Sequence, residues 1–338
     1  MAKTWHKYGW LYLIVGFIFM AFVFVLSLCM GQYHLSFSEV INALFNGDNG
    51  ETANNIIWKL RLPRLLSACF IGVALAVAGI IYQNTFQNEL ASPDIIGVSS
   101  GASVGIAWGI LIGLPLIAIS FLGFVLGVLA MGLTLFIARL FKNKSMTILI
   151  ISGVLVSGFM GAVVSLIKSM ADADTQLPNI VFWLLGSFAS VTMEQTIIIM
   201  IVVSICVTFL YCISGKILNN IALGEEQARS KGVNYKLWRI IILGFATILT
   251  ALSVSIAGVI GWVGLVIPHI ARLLAGHTTQ KSIPLAILFG GSFMMICDTL
   301  ARTLTTSEIP VGAITGFFGI ILFIAILTFK KGQKYGID

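Results

Sequence analysis

Only 10% of this 338-residue chain is charged, so few positions can carry chemistry. Glu89, Asp94, Asp298, Arg302 and Glu308 stand near the ends of long apolar runs, and Arg61-Leu62-Pro63-Arg64 opens one of those runs. Forked guanidinium groups suit carboxylates, and acids such as Asp298 are nearby partners for these arginines. No Walker A loop, HExxH, GxSxG or placeable Ser/His/Asp set occurs, and each of those chemistries needs its own spacing. No residue is assigned a catalytic role. A proton or sodium relay places acids near the bilayer midplane; the acids here lie near span ends, which weakens an ion-coupled carrier without removing it. His269, after Pro268, reads as a hydrogen-bonded structural residue in preference to a metal ligand. Cys29, Cys69, Cys206, Cys212 and Cys297 are scattered with no CxxC pair, so neither disulfides nor metal ligation is expected.

Other segments point to contact with partners. Residues 214–236 form the most polar loop and include Leu223-Gly224-Glu225-Glu226-Gln227-Ala228-Arg229-Ser230-Lys231-Gly232. A connector needs only a few residues, and this one uses about twenty. It predicts a short amphipathic helix stopped by Gly232, able to dock into a groove on a soluble partner. Small residues recur every fourth position in Ala68, Gly72, Ala76 and in Gly153, Ser157, Gly161, Ser165. Small side chains let helix backbones approach closely in a membrane; the second row is read as helix packing or as the lining of a pathway or subunit seam. Ser36-Phe37-Ser38-Glu39 has the form of a helix cap. Residues 169–192 predict an outer loop with a short re-entrant or interfacial helix, whose Trp183 serves as an outside gate or as an interfacial anchor.

The elements that position these residues follow from composition. The chain is 58% hydrophobic, whereas a soluble domain carries about 25% charged residues. The solvent must be lipid. Lipid offers backbone N–H and C=O groups no partner, so the long continuous runs must be helices. About ten are expected, at roughly 9–30, 62–84, 94–112, 115–138, 146–168, 193–213, 237–257, 263–276, 283–303 and 311–329. The first lacks a small-residue cleavage site and reads as a retained helix. With both termini cytoplasmic, fifteen of the twenty Lys and Arg fall inside, Lys142 and Lys144 among them. Only Lys59, Arg61, Arg64, Lys168 and Arg302 fall outside, a positive-inside bias. The net charge of +7 is explained by these inner loops, and no nucleic-acid partner is expected. The expectation is an all-α polytopic membrane protein forming one transmembrane domain over residues 1–338.

Several ordered motifs are similar to those of the FecCD/BtuC-like permeases of type II ABC importers. Arg61-Leu62-Pro63-Arg64 is one. Gln83 and Gln87-Asn88-Glu89-Leu90-Ala91-Ser92-Pro93-Asp94-Ile95-Ile96-Gly97-Val98 resemble the family's NPLA-containing stretch. Gly258-Val259-Ile260-Gly261-Trp262-Val263-Gly264 through Pro268-His269 to Arg272 resemble its GxIGFVGL…PHxxR stretch. Asp298-x-x-Ala301-Arg302 and Glu308-Ile309-Pro310-Val311-Gly312 complete the match. Glu89 and Trp262 depart from the usual Pro and Phe, as do Ile320 and Ile321 after Gly319. The resemblance implies a homodimeric permease in a bacterial cytoplasmic (inner) membrane, not itself an enzyme. Two cytoplasmic ATPase subunits would carry ATP and Mg, this chain binding no cofactor, and an extracytoplasmic binding protein would deliver cargo. It assigns ATPase coupling to Leu223, Gly224, Glu225, Glu226, Ala228, Arg229 and Gly232. It assigns binding-protein docking to Arg61, Arg64 and Arg302. The expected cargo is an iron chelate of siderophore or haem type, with molybdate, tungstate or cobalamin as alternatives. An ion-coupled carrier working alone is the rival from another class.

Overall fold

The computed structural model describes residues 2–45, 50–141 and 146–335; Lys142 and Lys144 lie outside them. Its helices are α1 (Ala2–Cys29), α2 (Phe37–Phe45), α3 (Gly50–Asn55), α4 (Leu62–Thr85), α5 (Val98–Leu111), α6 (Leu116–Leu140), α7 (Met146–Met170) and α8 (Gln176–Leu184). They continue as α9 (Met193–Cys212), α10 (Asn219–Ile221), α11 (Glu225–Ser230), α12 (Tyr235–Ala257), α13 (Val263–Ala275), α14 (Thr279–Thr303) and α15 (Val311–Tyr335). Among the described residues, eight helical segments are long and apolar enough to cross a membrane, and α5 and α13 are shorter apolar helices. These ten correspond to the ten expected spans.

One span begins later than its apolar run suggests. The third was expected from residue 94, but α5 starts only at Val98. Pro93 disfavours a helical residue before it, and Gly97 at φ 91° takes a left-handed turn that costs glycine little. The eighth starts at Val263 as expected, after Gly258 at φ 73° and Trp262 at φ 71°. Each short helix is the third span of its five-span half. Paired interruptions of this kind mark inverted-repeat transporters, although the two halves share no strong sequence identity.

Contacts show which helix ends lie together. Arg61, at the start of α4, donates to the carbonyl of Leu28 at the end of α1 (2.6 Å). Arg302, at the end of α14, donates to Met30 O (2.7 Å). At the opposite end of α4, Asn84 donates to Thr279 Oγ1 at the start of α14 (3.0 Å), and Gln87 donates to Ala222 O (3.2 Å). Helix α15 starts beside α8, where Val311 N–H donates to Gly186 O (2.9 Å). The 214–236 segment, the start of α1 and the end of α15 therefore share one end of the bundle. Arg61, Arg64 and Arg302 share the other, in agreement with the charge asymmetry.

Helix α4 runs through the middle of the bundle with nearly every side chain from Ala68 to Gln83 buried. Hydrophobic burial drives little between apolar helices in lipid, so close backbone packing must. A Cβ built on Gly72 would sit 2.2 Å from Gly290 O, and one on Gly79 would sit 2.0 Å from Gly264 O. The first small-residue row is thus the seam where α4 meets α14, with α13 adjoining it. Gly79→Ala is expected to cost about 1–3 kcal/mol through overpacking. Gly244→Ala, whose Cβ meets nothing within 4 Å, serves as the control. Thermal unfolding in detergent checks this, and equal midpoints for the two variants would contradict the seam.

Candidate functional site

At the outer end the start of α4, the end of α14 and the loop after α14 bring five charged groups together. Asp298 is fully buried and accepts from Arg64 Nε at 2.7 Å. Arg302 Nε lies 3.6 Å from its other oxygen. Arg64 Nη1 also donates to Glu308 Oε1 at 2.5 Å. Arg61 and Arg302 spend their remaining reach on the carbonyls that end α1: Arg61 on Leu28, Cys29 and Tyr33, Arg302 on Ser27 and Met30. All three arginines assigned to docking are therefore buried, each giving at least one donor to this chain's own acceptors. Arg64 Nη2 and Glu308 Oε2 have no hydrogen-bond partner among the described residues. Near this cluster Ser36 and Glu39 form the expected cap at the start of α2. The Ser36 backbone N–H, then its hydroxyl, hold the Glu39 carboxyl below the usual carboxylate range.

The outer end also holds a cavity of about 450 Å³ between α5, α6, α8 and the end of α12. Ile110, Leu114, Ile119, Phe182, Trp183 and Ile256 give it apolar walls, and its polar lining comes from Asn179, Ser187 and Ser190. None of these lining residues is charged. Trp183 Nε1 has no hydrogen-bond partner among the described residues. Helix α8 is the short helix expected in the 169–192 loop. Before it, Asp172 accepts from the Thr175 hydroxyl and then the Thr175 N–H, which hold its carboxyl low.

At the inner end the 214–236 segment folds into α10 and α11. Gly224 precedes α11 at φ 98° and Gly232 follows it at φ 75°. Gly232 N–H bonds to Arg229 O and Val233 N–H to Ala228 O, a Schellman ending that needs a left-handed residue at Gly232. Ala228 is fully buried and seats the helix on the bundle. Glu225 and Arg229 pair at 2.5 Å on the outer face, where Leu223 and Glu226 are exposed or nearly so. The segment is fastened by Gln87 to Ala222 O and by Thr279 N–H to Asn219 Oδ1 (2.8 Å).

The second small-residue row divides. Gly153 is buried against Ile95 and Ile96, and Ser157 donates to Asp94 O (3.2 Å). Gly161 and Ser165 are exposed, and a Cβ on Gly161 would meet nothing within 4 Å. His269 is buried, with Nδ1 2.7 Å from Leu265 O and Nε2 3.4 Å from Glu89.

A protein with an arginine-lined outer end and a seated helix projecting inward can be compared with known transporters. Residues 19–329 match the model of the FecCD transport family. The chain belongs to the FecCD family. A molybdate import system permease of Haemophilus influenzae, MolB, is 34% identical over 91% of this chain and 93% of its own length. A vitamin B12 import system permease of Serratia proteamaculans, BtuC, is 34% identical over 93% and 91%. An iron chelatin transport permease of Helicobacter pylori is 33% identical over 98% and 100%. A solved metal-chelate type ABC transporter in an inward-facing conformation superposes with a TM-score of 0.84 at 34% identity, over 94% of this chain and 98% of that one.

FecCD permeases are transport subunits of type II ABC importers, and a separate ATPase hydrolyses ATP. The carrier working alone gives way to this assignment. Reading the sequence missed the polar fastening at the inner end, where Gln83, Gln87 and Arg272 act together. All three lie in the quoted motifs, which is the signal available; Gln87 falls past the end of α4 at φ 47°, so helical spacing does not relate it to Gln83. Removing the Asp298 charge leaves Arg302 without an acid and Arg64 with Glu308 alone, a loss of about 3–5 kcal/mol for a broken buried pair. Asp298→Asn should therefore lower the unfolding midpoint well below that of Glu308→Gln, whose carboxyl is part-exposed. Equal midpoints would show that Asp298 is not the keystone of the cluster.

Proposed function

We propose that two copies of this chain form the translocation pathway for an iron chelate of siderophore or haem type in a bacterial cytoplasmic membrane. A binding protein delivers the chelate at the outer end, and two ATPase subunits drive the cycle at the inner end. The observation that carries the cargo is the apolar, uncharged outer cavity beside Trp183. A chelate hides its metal inside an organic shell, and such a shell partitions favourably against apolar walls. A bare oxyanion entering there would lose its hydration with no cation to replace it. Molybdate remains the alternative reading because MolB of Haemophilus influenzae is as similar as the other relatives; cobalamin has the same standing through BtuC.

The binding protein is assigned to the face organised by Arg61, Arg64 and Arg302. Three arginines against Asp298 and Glu308 leave that face one positive charge in excess, which favours an acidic partner. The dimer seam is assigned to the exposed half of the small-residue row, Gly161 and Ser165, while Gly153 and Ser157 hold α7 on its own subunit. Coupling is assigned to α11 and its flanking glycines, with Leu223 offering the apolar contact and the Glu225–Arg229 pair the polar rim.

The full chain, reconstituted with its ATPase and binding protein, should import radioiron as a chelate only when ATP is present. Import of molybdate without chelate would move the cargo to the alternative, and gradient-driven import without ATPase would sink the assignment. Leu223→Asp, at an exposed position, should reduce binding-protein-stimulated ATP hydrolysis at least about tenfold, as loss of one interface anchor does. Full stimulation in this variant would remove Leu223 from the coupling surface.

A further inference from the structure

A second cavity, of about 640 Å³, opens at the inner end between the end of α4, the 214–236 segment and the turn from α13 to α14. Its walls are polar, with the side-chain amides of Asn84, Gln87, Asn88 and Asn220 among them. Its charged lining residues are Arg272, Lys231 and Glu89, so positive charge is in excess before His277 is counted. Arg272 is only 9% exposed. Its Nη2 donates to Gln83 Oε1 at 2.5 Å, and no acceptor among the described residues meets its Nε. A buried guanidinium is stable when an anion or a set of acceptors uses its fork, and here one buried donor of the fork, Nε, is unused among the described residues.

A second, independent feature points the same way. The 25-residue helix α14 begins at this cavity, and its cap residue Thr278 lines the wall without capping the helix through its side chain. The first N–H groups of a long helix carry partial positive charge and favour anions. Asn219 accepts from one of them, Thr279 N–H, at 2.8 Å. The opposing charge is Glu89, whose Oε2 lies 3.4 Å from His269 Nε2.

We propose that this cavity binds a small tetrahedral oxyanion of the phosphate class. Arg272 and the start of α14 hold it from the bundle, and Lys231 holds it from the projecting segment. Lys231 directly follows α11, and Arg272 lies in the last turn of α13. An anion between them ties the projecting segment to the bundle, so occupancy sets how rigidly α11 is mounted. The site is separate from the outer cavity and does not depend on the cargo.

The test uses the purified full chain in neutral detergent, with inorganic phosphate titrated against chloride at matched ionic strength and thermal unfolding as the readout. Phosphate should raise the midpoint in a saturable way that chloride does not reproduce. Arg272→Gln should abolish that response. Lys231→Ala, at an exposed position that should not disturb folding, is expected to weaken apparent phosphate affinity about fivefold, the effect of one exposed charge. Glu89→Gln should strengthen it by removing the opposing charge. Equal responses to phosphate and chloride, or a full phosphate response in both Lys231→Ala and Arg272→Gln, would overturn the proposal. Nanodiscs of phosphatidylglycerol and of phosphatidylcholine identify the source of the anion. A phosphate response lost only with phosphatidylglycerol means that a lipid headgroup fills the site; a response kept in both means that a free anion does.

Discussion

The bundle depends on how closely the backbone of α4 approaches its neighbours at Gly72–Gly290 and Gly79–Gly264. In water, apolar helices are driven together by the surface they hide. In lipid that drive is absent, and contact must come from shape and from polar groups that have nowhere else to go. The glycine seam supplies the shape. The buried Arg64–Asp298 pair at one end of α4 and the Gln83–Arg272 pair toward the other supply the polar contacts. Everything farther out, including the largely exposed α1, α6 and α7, is arranged around this pinned helix.

Most of the architecture was legible in the sequence because lipid leaves so few solutions. Continuous apolar runs had to be helices, and the Lys and Arg bias placed the 214–236 segment and both termini on one side. What the runs could not give was the break before Val98, which only the turn residues Pro93 and Gly97 mark; the break before Val263 was legible. The C-terminal end of α11 was readable from Gly232, whose left-handed conformation is a local property.

The charged residues were harder to read. Their types suggested ion pairing, but one sequence cannot distinguish an arginine aimed at a partner from one aimed at its own chain. Asp298 and Arg302 are one helical turn apart, yet Arg64 reaches Asp298 across 234 positions of sequence. That pairing is a product of tertiary packing, as is the burial of Arg61 against the end of α1. The same holds at the inner end, where Arg272, Lys231 and the start of α14 come together from three separate segments.

The shortness of α5 and α13 also bears on how the protein is made. Thirteen or fourteen helical residues extend only about 20 Å, well short of the roughly 30 Å hydrocarbon layer. Neither segment is a self-sufficient signal for entry into the bilayer during synthesis. Each is followed, after a short turn, by a long apolar helix, α6 or α14. Each short helix therefore needs a long neighbour to enter the bilayer with, and the Gly113 and Gly276 turns join each to such a neighbour.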